Sequence, residues 1–302
     1  MRYILTKPPA LSRLKLSVKM PTGGACVLNI RLHQERLNPR METKYEKTFK
    51  VRVNEVNFKG ELKLSSMLNY FQDVAIEHAS DLGFPISMLI QKNLTWVVSR
   101  YHLQIDRAPL WGETLHVTTW PSDTRGRFAI RDFEIRDKKN LPAVAATASF
   151  MLLDFVQKKT VPIEENLPAY PVVPARAVAD SFESLPGLER VDLQRPFHVR
   201  MHDLDLNHHV NNTYYVEWAI ESLPMDIIQN CRVTRIEVAY RGQAVYGDEI
   251  LSQAQVVSDG PEPVVIHRIV RESDGRELAR LKTQWTPAQG AYHAAFKAKR
   301  LA

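Results

Sequence analysis

The chain repeats itself, and the repeat constrains its folding more than any single element does, because both copies must satisfy one backbone plan. At an offset of 135 residues Arg100 meets Arg235, Gly112 meets Gly247 inside "LWGETL" and "VYGDEI", and Arg136-Asp137 meets Arg271-Glu272. Phe150 meets Trp285 at the same offset, with no gap in between. Upstream, "FKVRVNEVNF" from Phe49 matches "FHVRMHDLDL" from Phe197 at an offset of 148, and Ala75-Ile76-Glu77 matches Ala219-Ile220-Glu221 at 144. The change of offset predicts four extra residues in the first copy, between its opening strand and its helix.

Each copy reads as a strand, a helix and several antiparallel strands, an α+β pattern. In the first, Leu64, Met67, Leu68, Phe71, Val74, Ala75 and His78 recur at helical spacing. Ser65 or Ser66 is the expected cap and Gly83 the expected stop. Alternating runs rich in Val, Thr and aromatics then predict strands over residues 96–105, 114–120, 127–136 and 143–156. The second copy predicts a helix over 212–223, capped by Asn211 or Asn212, and strands over 232–241, 249–258, 264–272 and 277–285. Between the copies, residues 162–195 are rich in proline and alanine and read as a long connector. The expected organisation is an extension over 1–40, a first domain over 41–161, this linker, a second domain over 196–286 and a basic tail over 287–302.

Charge separates the extension from the rest. The net +6 is carried by residues 1–40, which hold eight bases and one acid; the remaining residues carry 32 bases and 33 acids. The body is therefore not a basic nucleic-acid binder, and an acidic partner must meet a local patch. The extension lacks a clear period and contains Pro8-Pro9 and Gly23-Gly24; Met41 opens "METKYEKTFKVRV", which reads as a natural start into a first strand. No apolar run approaches the ~18 residues that suggest a membrane span. The two cysteines, Cys26 and Cys231, form no framework. They suggest a reducing compartment, and a cytoplasmic location is expected.

Chemistry concentrates in the segment Asp203 to Tyr215, "DLDLNHHVNNTYY". If Asp205 to His209 is extended, Asp205, Asn207 and His209 share one face beside a helix N-terminus. Asp and Asn are equally turn and cap residues, and a histidine is often a satisfied core group, so the residues alone leave both readings open. His198, His202, His208 and His209 with Asp203 and Asp205 alternate in a way that does not suit a zinc site, and no metal is expected. In the first copy the trio is replaced by Asn57, Lys59 and Glu61.

The run "DLDLNHHVNNTYYVEW" resembles the active-site segment of fatty acyl–acyl carrier protein thioesterases, the plant-type enzymes and their bacterial relatives. "NLTWVVSRYHLQIDRAPLWGETLHVTTWP", from Asn93 to Pro121, is similar to the first-half core of the same family. The resemblance covers roughly residues 45–286. It implies two tandem hotdog domains, each an antiparallel sheet wrapped around a central helix, and an Asp-x-Asn-x-His catalytic set at Asp205, Asn207 and His209. In that role His209 acts as general base or orients water, Asp205 orients His209, and Asn207 positions water or the thioester. Asp205 reaches His209 only if the chain turns between them. The amides of Val210 and Asn211 are the expected oxyanion site. Plant members carry Glu-Cys after "YRR"; here "AYRGQAVYG" puts Gln243 and Ala244 there, so Gln243 can hold water but cannot take its proton.

The resemblance further implies an acyl chain in the first half, where Met67, Tyr70, Phe71, Val74, Met88 and Trp96 are the candidate lining. The implied partner is acidic acyl carrier protein bearing a phosphopantetheine-linked chain, with Arg125, Arg127, Arg131, Lys138, Lys139, Lys158 and Lys159 as candidate contacts and no bound cofactor. The chain would be a pseudo-dimer in itself, with a homodimer as the next level of assembly. The rivals are an acyl-CoA thioesterase on the same scaffold, a dehydratase using Glu217 or Glu221, and a non-catalytic acyl-thioester sensor. A chain beginning at Met41 is expected to fold and to retain thioester turnover; loss of solubility or of activity on that truncation would make the extension an integral part.

Overall fold

The computed structural model describes residues 43–167, 170–258 and 260–288. The expected extension over 1–40, and the tail beyond residue 288, lie outside them. The first half contains β1 (Tyr45–Lys50), α1 (Leu64–Asp81), α2 (Ile86–Gln91), β2 (Leu94–Ile105), β3 (Thr114–Arg125), β4 (Phe128–Asp137), β5 (Pro142–Asp154), β6 (Lys159–Val161) and α3 (Ile163–Asn166). The second contains β7 (Leu193–His198), α4 (Asn212–Glu221), α5 (Met225–Asn230), β8 (Cys231–Tyr240), β9 (Glu249–Ser258), β10 (Val264–Arg271) and β11 (Glu277–Pro287). Short 3-10 turns, Val53–Glu55 and Met201–Asp203, follow β1 and β7.

All eleven strands belong to one antiparallel sheet in the order β1-β3-β4-β5-β2-β8-β11-β10-β9-β7, with β6 paired to β5. The order β1-β3-β4-β5-β2 maps strand for strand onto β7-β9-β10-β11-β8. Two hotdogs therefore join edge to edge through β2 and β8, from Arg100↔Ala239 to Gln104↔Arg235. The central helices cross this join: Ser65 Oγ donates to Glu217 Oε1 (2.5 Å) and Gln72 Nε2 donates to Asn212 Oδ1 (3.2 Å), an antiparallel pairing of α1 and α4.

The repeat survives in detail. Register shifts fall at Ser99, between Val98 and Arg100 of β2, and at Thr234, between Val233 and Arg235 of β8. Trp96 pairs with Leu152 and Cys231 with Pro287, so Trp96 and Cys231 are equivalent at the offset of 135. The four-residue difference lies elsewhere than expected. The offset of 148 holds through the bridges Val56↔Leu62 and Leu204↔Val210 up to the helix starts, Leu64 and Asn212. The extra length is in the helix itself and is eight residues, not four: 18 in α1 against 10 in α4. A helix can grow at its C-terminal end without disturbing the sheet it rests on. Gly83, at φ +88°, follows the end of α1 as expected. Ser65 and Ser66 do not cap it; the cap position is Lys63, and the two hydroxyls reach Glu217 and the Glu55 carbonyl.

One apolar core runs through both halves. It includes Phe71 and Val74 of α1, Phe133 of β4, and Tyr215 and Val216 of α4, with the Phe71 and Phe133 rings 4.7 Å apart. Two smaller clusters lie apart from it. In the first half Leu89, Leu94, Ala129 and Leu152 gather Phe84, Met88, Trp96 and Tyr170. In the second, Leu223, Ala254, Val265 and Trp285 gather Ile227, Ile228 and Cys231. Both hold residues of the short helix after the central one and the start of the central strand, so they are repeat mates.

The connector is bound to the outer face of the sheet. Trp120 Nε1 donates to the Ala175 carbonyl (2.7 Å), Arg280 Nη1 to the Leu185 carbonyl (2.9 Å), and the Glu189 amide to Gln255 Oε1 (2.8 Å). Asp132 on β4, fully buried, is its main anchor: it accepts from Ser122 Oγ, the Ala177 amide (2.8 Å) and Arg176 Nε (3.2 Å). Burial pushes this carboxyl above its ordinary range, against the donors around it. Asp132→Ala leaves the Ala177 amide without its acceptor and Arg176 with only its bond to Thr147, and should cost about 2–4 kcal/mol. Thermal melting should show that loss together with faster proteolysis near Arg176, whereas Asp132→Asn, which keeps an acceptor for Ala177, should lose less.

Candidate active site

Residues 204–210 form a closed turn and not an extended strand. The Asp205 amide donates to the His209 carbonyl (2.8 Å) and the His208 amide to the Asp205 carbonyl (3.1 Å), and His208 sits at φ +60°. The Asp205 carboxylate brackets the turn from inside, accepting from the Asn207 amide (2.8 Å) and, at longer range, from the His209 amide (3.4 Å). This is the self-bonding geometry that aspartate favours in turns. It overrides the period-two alternation because the local hydrogen bonds are satisfied only when the chain folds back. The turn also brings position 209 to the Asp205 carboxylate, which a strand does not allow.

The first copy has the same backbone. The Asn57 amide donates to the Glu61 carbonyl (2.8 Å), Asn57 Oδ1 accepts from the amides of Lys59 (2.9 Å) and Glu61 (3.1 Å), and Gly60 takes the positive φ of +79°. Turn bracing is therefore a structural duty that Asn57 and Asp205 share. What distinguishes the second loop is its negative charge at 205 and the groups at 207 and 209. Asn207 is exposed and His209 half-buried, and neither side chain forms a hydrogen bond among the described residues. The reading that these residues are turn chemistry thus holds for Asp205 in part and leaves Asn207 and His209 unexplained by folding.

The expected oxyanion donors are already committed. The Val210 amide donates to the Ala244 carbonyl (2.9 Å) and the Asn211 amide to the Asp203 carbonyl (2.8 Å). Both bonds tie the loop down, and the first copy repeats them, Leu62 to Pro109 (2.7 Å) and Lys63 to Glu55 (2.9 Å). The Asn211 side chain serves the helix instead, capping α4 through Oδ1, which accepts from the Thr213 amide and hydroxyl, both at 3.0 Å. The first amide at the α4 N-terminus with no acceptor among the described residues is that of Asn212.

Gln243 is exposed and lies one residue from Ala244, the loop's acceptor. Two residues not singled out in the sequence hold its segment. Arg271 Nη2 donates to the Gln243 carbonyl (2.6 Å) across 28 residues of chain and Nε to Asp248 (3.1 Å). Tyr215 OH accepts from the Ala244 amide (3.0 Å), and burial pushes the phenol up to about 12. No local pattern marks either one, since each acts on backbone far away in sequence.

The candidate acyl-chain residues separate. Met67, Phe71 and Val74 are fully buried in the main core, whereas Met88 and Trp96 belong to the small first-half cluster. Tyr70 is not an apolar lining residue: its hydroxyl donates to Glu55 Oε2 (2.6 Å) in a polar cleft of about 260 Å³ shared with Arg52, Asp73 and Glu217. Arg131 is buried, donating to Thr119 and Tyr170, and is no surface contact for a carrier. Glu217 is bound to Ser65 and Glu221 to Arg195 (2.9 Å). A convergent set of metal-type ligands occurs away from the loop, at His102, Asp180 and Glu237, but Asp180 and Arg235 already occupy both imidazole nitrogens.

The chain matches the acyl-ACP thioesterase N-terminal domain over residues 42–170 and the acyl-ACP thioesterase C-terminal domain over 188–287. It is 27% identical over 263 residues to a chloroplastic dodecanoyl-[acyl-carrier-protein] hydrolase of Cinnamomum camphora, covering 80% of this chain and 68% of the relative. It is 25% identical to a chloroplastic palmitoyl-acyl carrier protein thioesterase of Gossypium hirsutum, covering 80% and 64%. Among solved structures, the 12:0-ACP thioesterase from Umbellularia californica aligns at TM-score 0.74 and 26% identity, over 82% of this chain and 95% of that one. A putative oleoyl thioesterase from Lactobacillus plantarum shares the fold at TM-score 0.73 and 23% identity, over 82% and 97%.

The twin loop supplies its own control. Asp205→Asn places in the second loop the residue that braces the first, so the fold should melt as wild type while thioester turnover falls at least ~10-fold for want of the charge. Asp205→Ala should lose turnover and also about 1 kcal/mol of stability, the usual worth of such a side-chain-to-backbone bond. Equal turnover in Asp205→Asn and wild type would reduce Asp205 to a turn residue.

Proposed function

The chain belongs to the acyl-ACP thioesterase family, and on that premise we propose how its residues divide the work. It hydrolyses the thioester of fatty acyl-[acyl carrier protein] and releases the free fatty acid. The observation that carries the assignment of the site is the asymmetry of the twin loops: one backbone, built twice, with uncommitted imidazole and amide groups in one copy only.

A water molecule adds to the thioester carbonyl, the C–S bond breaks, and the departing pantetheine sulfur takes a proton. His209 accepts the water's proton and returns it to sulfur. Asp205 fixes the loop, its carboxylate accepting from the amides of Asn207 and His209, and so sets where the imidazole stands. Asn207, at the loop tip, hydrogen-bonds the water or the carbonyl. The Asn212 amide at the positive end of α4 replaces Val210 and Asn211 as the backbone donor to the oxyanion. Gln243 holds the water from the opposite segment without taking its proton.

Pseudo-symmetry supports an address for the acyl chain. In the first copy Lys59 reaches the Cys231 carbonyl of the other half (2.7 Å). By the repeat relation Asn207 is the mate of Lys59 and Trp96 the mate of Cys231, and we infer from it that the working loop faces the small first-half cluster at Trp96. We place the distal acyl carbons there, among Met88, Trp96, Phe84 and Leu89, and not along Met67 and Val74. The protein partner is acyl carrier protein, and the two-cysteine composition favours a reducing compartment such as the cytoplasm.

His209→Ala should lower kcat by ~100-fold or more in folded protein, the typical loss of a general base. Each methylene that finds room is worth about 0.8 kcal/mol. Met88→Trp should therefore shift the product profile to shorter chains while the loop stays competent. Met67→Trp should depress stability and all chain lengths alike. The reverse pattern, read by product analysis, would move the chamber to the main core. Comparing kcat/KM on carrier-protein and CoA thioesters of one acyl chain tests the partner.

A further inference from the structure

The first-half loop invites comparison with its working twin, because the two are alike in frame and opposite in state. Both are closed by the same backbone bonds, tied to the neighbouring segment by the same amide, and turned at a positive φ. In the second half the tip residue Asn207 is exposed and uncommitted. In the first half the tip residue Lys59 points inward, its side chain only 8% exposed. Its ammonium donates to the Cys231 carbonyl at 2.7 Å and lies 3.5 Å from the Glu61 carboxylate, which Asn57 Nδ2 also contacts at 3.2 Å.

A buried ammonium is tolerated only where it is paired and hydrogen-bonded. Lys59 meets that condition by bridging the halves, from its own loop to the first residue of β8. Cys231 is also where the second half's small apolar cluster begins, the repeat mate of the cluster that holds Met88 and Trp96. The first-half loop and the second-half cluster thus repeat the pairing of loop and apolar cluster read above as the working site.

We propose that Lys59, locked to Glu61 and the Cys231 carbonyl, is the stopper of a second acyl-thioester-binding cleft in each chain, so that one cleft works and its twin is held shut. The proposal rests on the reading of the working loop given above and adds a second binding site of the same ligand class, an acyl-pantetheine. The first-half loop carries no imidazole, and its one side-chain amide, Asn57, is engaged with Glu61, so withdrawing the stopper yields binding without turnover.

Lys59→Asn tests this in the full chain. It installs the residue that the twin loop already carries at the same backbone position. Calorimetric titration with the non-hydrolysable amide analogue of decanoyl-pantetheine should give one site per wild-type chain and two in Lys59→Asn. Labelling of Cys231 by a thiol reagent, followed by peptide mass spectrometry, should accelerate at least ~10-fold in the variant, with turnover at the second-half loop unchanged. If the single variant does not fold, Lys59→Asn/Glu61→Gln, which also removes the carboxylate left without its cation, is measured in the same way. Two sites in wild type would overturn the proposal, as would one site and unchanged Cys231 labelling in a folded variant of lower melting temperature. That last result would make Lys59 a plain tie between the halves. Absence of any binding to wild type, with no turnover, would instead strike the reading of the working loop.

Discussion

The pairing of β2 with β8 is the constraint on which the rest of the molecule depends. Each half alone ends in a long central strand whose amides and carbonyls need partners along one edge. Joining the two edges satisfies both, continues the sheet through eleven strands and fixes the relation of the repeats. Once Arg100 lies against Ala239, α1 and α4 must run antiparallel beneath the join, and the main core becomes common to both halves. The first-half loop is then carried to the start of the second half's central strand, where Lys59 finds the Cys231 carbonyl.

Duplication also explains why Asp205 is hard to interpret from any single copy. The same position braces a turn in both loops, and asparagine does that equally well in the first. The two loops share a structural device and differ at the positions it holds: the acceptor that closes the turn is Asp205 in one and Asn57 in the other, and the residues it positions are Asn207 and His209 in one and the ion pair of Lys59 and Glu61 in the other. One backbone can carry either because the turn is held by main-chain bonds and by the residue at its first position, leaving the tip free to vary.

The connector contributes a different kind of order. Among the described residues it has no regular element between α3 and β7, yet it is held by a carboxylate buried under it, by a tryptophan donor, and by arginine side chains reaching backbone carbonyls. Many of its hydrogen-bonding groups find partners on the sheet, as buried backbone requires, beside a few short-range bonds of its own such as Ala175 to Val173 and Phe182 to Asp180. Composition alone reads such a segment as a passive spacer, because no local periodicity records partners on distant strands.

The sequence by itself determined the repeat, the α+β plan, the second-copy strands nearly residue by residue, and the cap of the second central helix. These are local properties: alternation, helical spacing, capping by Asn211 and the Asp-x-Asn-x-His spacing all act within a few residues. It did not reveal the short helices α2 and α5, which are too brief for a period to declare itself, or the continuation of β3 past Pro121, where a register shift accommodates the proline. Tertiary structure alone decided that residues 204–210 turn back on themselves, that the Val210 and Asn211 amides are used up in anchoring the loop, and that Met67 and Met88 lie in separate clusters. Each of those outcomes depends on a partner far along the chain, Ala244 for Val210 and Cys231 for Lys59, and a pattern confined to neighbouring residues cannot encode which distant group arrives to accept a hydrogen bond.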